Sequence, residues 1–217
     1  PHTMTLSFNE PLTQTGTRSV MMVDGWVEYP YSQTSFAAWQ AGEEYVAPSI
    51  EVRKKDGTWV MLLEQFGYPA GMPRQMAVPL DKLPPAAREI RITTNQEIYW
   101  DRVSIVFTEP CPDAVKQELP LKDAVLEETG FPQRSDFAQR RPYYDFSRRN
   151  KPWDSRVLEG DYTQFGDVKE LVLKNDGGLA ILGPGEGIQL EFEAPRQPLT
   201  GGWKRHFVLS SYGWCKD

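Results

Sequence analysis

The stretch Ile90-Arg-Ile-Thr-Thr-Asn-Gln-Glu-Ile-Tyr-Trp-Asp-Arg-Val-Ser-Ile-Val-Phe107 decides the fold class. Ile90 and Ile92 alternate with polar neighbours. After Asn95-Gln96 the pattern resumes with Ile98 and Trp100, then Val103, Ile105 and Phe107. Alternation at period two, rich in β-branched and aromatic residues, marks half-buried strands. The stretch reads as a strand pair at the heart of a β-sandwich. It holds no nucleophile, metal-ligand cluster or phosphate loop, so it speaks to fold and not to chemistry.

Working outward, the same signals recur. Met4 to Glu10 alternates through Leu6 and Phe8 and predicts a first or edge strand. Arg18 to Tyr29 predicts a second, interrupted at Asp24-Gly25 by a bulge or sharp bend. Ser35 to Gln40 predicts one or two helical turns, capped by Ser35 and ended by Gly42. Ser49 to Phe66 predicts a hairpin about Asp56-Gly57, with positive φ at both turn residues. Gly67 to Pro73 is too rich in Gly and Pro for regular structure, and Met76 to Leu80 reads as a short strand. Pro110-Cys-Pro112 is the strongest boundary signal, since two prolines remove backbone donors. The expected organisation is a β-sandwich over 1–109. A β-rich extension over 110–217 is packed on it.

Within the extension, Leu119, Leu121, Ala124 and Leu126 are candidate core positions. Pro132 to Pro152 reads as a long basic and aromatic loop. Asp161 to Lys174 fits either a short helix or a strand. Leu179 to Leu182 predicts a buried strand, Gly183 to Gly187 a turn, Ile188 to Phe192 a strand with one wet face, and Trp203 to Tyr212 a last strand. The Gly183-Pro-Gly-Glu-Gly187 spacing is wrong for a dinucleotide fingerprint, and a strand pattern follows it, not a helix.

Composition narrows the function classes. The chain has 217 residues, 40% of them hydrophobic, and a net charge of -6. Arg140-Arg141, Arg148-Arg149 and Lys151 form its nearest approach to a basic cluster. The acidic balance argues against a nucleic-acid partner. No apolar run reaches the ~20 residues that span a bilayer. The start at Pro1, without an initiator Met, suggests a trimmed product. Cys111 and Cys215 are either two free thiols or one disulfide closing a loop of about a hundred residues; the chain-entropy value of such a bridge is on the order of 4–5 kcal/mol. With His2 and His206 they do not compose a zinc site. His206 with Ser210 or Ser211 makes a weak nucleophile–base arrangement, since the period of two can place them on opposite faces. No cofactor or metal is expected.

Seven Trp and nine Tyr are many for this length. Large rings serve first as core, and flat exposed rings can also stack on sugars. The candidate ligand-binding residues are Trp26, Tyr29, Trp39 and Tyr45 in one region, and Tyr143, Tyr144 and Trp153 in another. Abundant carboxylates, Asp24 and Asp101 among them, leave a paired-carboxylate hydrolase as an alternative.

Thr94 to Val103, with its Tyr99-Trp100-Asp101 triplet, joins Pro152-Trp153, Gly160 to Val168, Leu182 to Glu186, Gly202-Trp203, Phe207-Val-Leu209 and Tyr212 to Asp217. As a set, over roughly residues 90 to 217, these resemble the C-terminal β-rich region of bacterial FG-GAP repeat proteins of the ASPIC/UnbV, cartilage-acidic-protein-like group. Some members of that group are fused to tetratricopeptide repeats. The chain has neither FG-GAP calcium loops nor a tetratricopeptide period. The resemblance implies an extracytoplasmic, multidomain parent and supplies no catalytic residues. The expectation is an all-β sandwich resembling the galactose-binding jelly roll. It would act as a non-catalytic accessory binding or assembly module whose partners are neighbouring domains or subunits, or a glycan. A carbohydrate-binding module proper and the hydrolase are the alternatives.

Overall fold

The computed structural model describes residues 1–27, 32–136, 141–151, 160–195, 198–199 and 201–213, without the side chains of residues 32–35 and 71. Among these residues there are twelve strands and two short helices, so the protein is all-β. The chain divides into two compact units. One holds Pro1–Ala114 with Asp136–Tyr143, the other Val115–Ser135 with Tyr144–Asp217.

The first unit is built from two antiparallel sheets. One contains β1 (His2–Ser7), β6 (Glu89–Thr94), β3 (Ser49–Arg53) and β4 (Trp59–Leu63), in that order. The other is β5 (Gly71–Pro79), β2 (Arg18–Val27) and β7 (Ile98–Thr108), with β2 central. Register explains the core. Ile90 lies opposite Leu6 and Val52, and Ile92 opposite Met4 and Ile50, so these residues share one face. Met21 lies opposite Val78 and Ile105, and Val23 opposite Met76 and Val103. Ile50, Val52, Ile90 and Ile92 join Met21, Val23 and Val78 in one buried apolar cluster fed by both sheets.

The opening stretch is therefore not a pair of hydrogen-bonded neighbours. β6 pairs with β1 and β3, while β7 pairs with β2, and the chain changes sheet at Asn95–Glu97. Alternation specifies which face a residue takes, and says nothing of which strand lies alongside. Side-chain bonds pin the crossing. Thr94 Oγ1 donates to the Val46 carbonyl at 2.7 Å, Asn95 Nδ2 donates to the Glu44 carbonyl at 2.6 Å, and Asn95 Oδ1 accepts from Val46 N–H at 2.7 Å.

Three local expectations change in detail. The helix α1 runs Ser32–Gln40, so Ser35 lies inside it and not at its start. It closes with Glu43 N–H on the Ala38 carbonyl and Gly42 N–H on the Trp39 carbonyl, the paired bonds of a Schellman end. The β3–β4 hairpin carries positive φ at Gly57 (89°) and not at Asp56. Lys54 N–H bonds the Thr58 carbonyl and Gly57 N–H the Lys54 carbonyl, which makes a three-residue loop with a glycine bulge. Asp56 Oδ1 accepts from both Thr58 N–H and Thr58 Oγ1, so the aspartate is used as a local side-chain turn. β5 also starts earlier than expected, at Gly71.

The second unit has a three-stranded sheet, β11 (Gly166–Asp167), β8 (Leu121–Glu128) and β12 (Glu186–Phe192), with β8 central. Ala124, Leu126 and Val168 are buried. Leu121, Ile188 and, from the one-turn helix α2 (Lys169–Val172), Leu171 and Val172 pack on them. Segment 161–174 thus contains both a bridge strand and a helical turn. The predicted turn at Gly183–Gly187 closes with Glu186 N–H on the Gly183 carbonyl at 3.2 Å.

Three expectations for the C-terminal half are overturned. The described residues of the segment expected to be a loop over 132–152 are mostly strand: β9 (Phe131–Asp136) and β10 (Pro142–Asn150) make a two-stranded ribbon. Most of the ribbon's residues are solvent-exposed, so no apolar period marked it. Leu179–Leu182 is not a buried strand. It has no regular structure, and Leu179, Ile181 and Leu182 are all exposed. Its backbone is held instead by Thr163, whose Oγ1 accepts from Ile181 N–H at 2.8 Å. Residues 203–212 are not a strand either, and every one of them is exposed.

Candidate functional site

The face of the β5–β2–β7 sheet turned away from the core carries the richest chemistry. On β2, Asp24 and Trp26 stand two residues apart and so share that face. The β2–β7 register slips between Asp24, opposite Arg102, and Gly25, opposite Trp100. Asp101 is therefore the extra residue of a bulge. The slip lets both Trp100 and Val103 reach the core cluster, and it places Asp101 beside the pocket. Gly25 makes the slip feasible: a Cβ there would meet the Tyr99 carbonyl oxygen at 2.5 Å. The bend expected at Asp24-Gly25 is this bulge, with its additional residue on the partner strand.

The side chains around it are held by one another. Gln75, across from Asp24 on β5, donates its Nε2 to Asp24 Oδ1 at 3.1 Å. Arg102 Nε donates to Asp24 Oδ2 at 2.8 Å. Arg141 Nη1 lies 3.3 Å from Asp101 Oδ2. Trp26 stacks on Tyr99, its register partner, with parallel rings and centroids 5.1 Å apart. Asp24, Trp26, Arg74, Gln75, Asp101 and Arg141 line a pocket of about 150 Å³. Trp26 is only 8% exposed, and its Nε1 is buried with no hydrogen-bond partner. Two carboxylates thus share one pocket, as the hydrolase alternative asks. Both Asp24 oxygens are already engaged, one by an amide and one by a guanidinium.

The predicted aromatic site residues separate. Trp26 is a buried wall of this pocket and not a surface platform. Trp39 is 72% exposed and leans on Phe36, with ring centroids 5.7 Å apart. Tyr45 is exposed, beside the 44–46 segment that anchors the sheet crossing. Tyr143 is exposed, and Tyr144 is half-buried against Phe146 at 6.5 Å, with the Arg134 guanidinium 6.0 Å from its ring. Tyr29 and Trp153 lie outside the described residues, as does Cys215. Cys111 is an exposed free thiol. His206 is exposed.

Sequence reasoning missed Arg74, Gln75 and Arg141 as pocket residues. Nothing local marks them, because they meet Asp24 and Asp101 only through strand pairing and chain return. It also took 203–212 for a last strand. Phe207 is 71% exposed, Val208 92% and Tyr212 82%, and Trp203 and Leu209 are exposed as well.

The opposite sheet of this unit carries a different polar face. Glu51 and Arg91, register partners, form a two-pronged pair at 2.7 and 2.8 Å, with Arg91 4.5 Å over the Trp59 ring. The hydrogen bond from Arg53 holds the Glu89 carboxyl below its ordinary range. These are cross-strand pairs of the kind that support a sheet. Among the described residues, no group of three His, Cys, Asp or Glu is placed to hold a metal ion. No helix among them is long and apolar enough to cross a membrane. Comparison with known protein families, curated proteins and solved structures gives no match to this chain.

Proposed function

We propose that the chain is a non-catalytic accessory binding or assembly module of a larger extracytoplasmic protein. The observation that carries this reading is the 203–212 segment. It has the composition of a strand, yet Phe207, Val208, Leu209 and Tyr212 stand in solvent. Contiguous exposed apolar surface of this kind marks a contact with another molecule. An extended segment gains backbone hydrogen bonds and side-chain burial together when it adds to a sheet edge. The resemblance to the C-terminal region of ASPIC/UnbV-type proteins supports the same reading, because a domain of a multidomain protein meets neighbouring domains or subunits.

The test is co-purification of the parent protein at native expression, wild type against a Phe207→Ser, Leu209→Ser variant. A stoichiometric partner lost in the variant is expected. Identical companions for both proteins would contradict the reading. The hydrolase alternative draws on Asp24 and Asp101 sharing a pocket. Turnover of chromogenic glycosides that disappears in Asp101→Asn would favour it over the accessory reading.

A further inference from the structure

We propose that the β9–β10 ribbon is a binding surface for an acidic polysaccharide, a chain of uronic-acid sugars. The ribbon has only two strands, and most of its residues stand in solvent. A core therefore does not explain its content of rings and arginines. The residues that carry the proposal are Arg134, Tyr144, Phe146, Arg148, Arg149 and Lys151, all of the second unit. Tyr144, Phe146 and Arg148 alternate onto one side of β10. Contacts join them in a line: the Arg134 guanidinium is 6.0 Å from the Tyr144 ring, the Tyr144 and Phe146 rings are 6.5 Å apart, and the Arg149 guanidinium is 5.5 Å from the Phe146 ring. Packing on a ring holds a long arginine in place without neutralising it. Gly130 keeps the base of the ribbon closed, because a Cβ there would collide with the Asn150 carbonyl.

The nearby acid is spent locally. Asp145 Oδ1 accepts from Ser147 N–H at 2.9 Å and from Ser147 Oγ at 2.5 Å, and Asp145 Oδ2 lies 3.7 Å from Arg148 Nε. Among the described residues, Arg149 and Lys151 have no carboxylate within ion-pair distance. Positive charge thus stands beside exposed rings in a chain whose net charge is -6. Phe146 is 52% exposed, so its ring can still take a ligand. A uronic-acid sugar matches both features. Its C–H face packs on an aromatic ring, and its carboxylate suits the planar fork of an arginine. The exposed amides of Gln133 and Asn150 stand on the same ribbon for the hydroxyls. A nucleic acid fits less well, since its affinity rests on neutralising many phosphates and the acidic remainder of the chain repels them. The surface uses none of residues 203–212, so it stands or falls apart from the assembly reading.

The experiment is calorimetric titration of the whole chain with oligogalacturonate and with an alginate oligomer. Neutral dextran and oligothymidylate are the controls. Saturable binding of the two acids is expected, with none of dextran, and the affinity should fall as salt rises from about 0.05 M to about 0.5 M. Arg149→Ala and Phe146→Ala are each expected to weaken the acids about tenfold, at an unchanged melting temperature because both side chains are exposed. Phe207→Ser with Leu209→Ser should bind the acids like the wild type. No binding of either acid would overturn the proposal, as would undiminished binding in both ribbon variants. Oligothymidylate bound more tightly than the acids would overturn the polysaccharide assignment in favour of a single-stranded nucleic acid.

Discussion

The two units differ most in what they bury. Among the described residues, ten buried apolar residues of the first, seven of them on strands of its two sheets, form one cluster. In the second, three do. The second unit also exposes much of its apolar content: Leu190 and Phe192 on β12, Leu179, Ile181 and Leu182 before it, and the 203–212 segment after it. Stability follows buried apolar area. By this measure the first unit has the larger buried core, and the second has more of its apolar surface exposed.

The comparison breaks most sharply in the cores. Ile90 is fully buried between β1 and β3, and Ile90→Ala is expected to cost about 3–5 kcal/mol in denaturant unfolding. Leu126→Ala, in the smaller cluster, is expected at the low end of such substitutions, about 2–3 kcal/mol. Amide exchange should separate the two: Leu126→Ala speeds exchange in β8 and β12 and leaves β2, β3 and β6 protected. Equal loss of protection in both units would erase the distinction.

Smaller effects sharpen it. Gly25→Ala forces a Cβ onto the Tyr99 carbonyl, and an overpacked strand crossing costs about 1–3 kcal/mol. The Trp26 indole resonance should move with it, since the bulge sets that ring's neighbours. Phe207→Ser removes an exposed ring and is expected to change stability by less than about 0.5 kcal/mol. A larger loss would mean that the segment packs within the chain. The smallest effect is electrostatic. The Glu89 carboxyl is held below its ordinary 4.5, chiefly by the Arg53 hydrogen bond. Its stabilisation is complete above that pH and is lost as pH falls through the lowered value. Glu89→Gln should lower the melting temperature slightly at pH 7, where the stabilisation is present, and the difference from wild type should vanish at low pH, which flattens the acid side of the profile.

What was legible in the sequence follows the same division. In the first unit, alternation gave β6, β7 and the β3–β4 hairpin, and Asp24-Gly25 gave the bulge, because one wet and one dry face write a period into the chain. The change of sheet at Asn95–Glu97 was not legible, since pairing partners leave no local mark. In the second unit the pattern misled. Trp203–Tyr212 has the alternation and β-propensity of a strand and is in no strand among the described residues, while the β9–β10 ribbon is a pair of strands too polar to show a period. The pocket was half legible: Trp26 stood out by type, but its burial and its company of Arg74, Gln75 and Arg141 come only from register.

The central claim is that residues 203–212 are a contact surface left uncovered in this chain. Hydrogen–deuterium exchange over this segment, in the isolated chain and in the assembled parent, tests it most directly. Exchange near the unstructured rate in the chain alone, slowed in the assembly, is the predicted result. Strand-like protection already present in the isolated chain would contradict it.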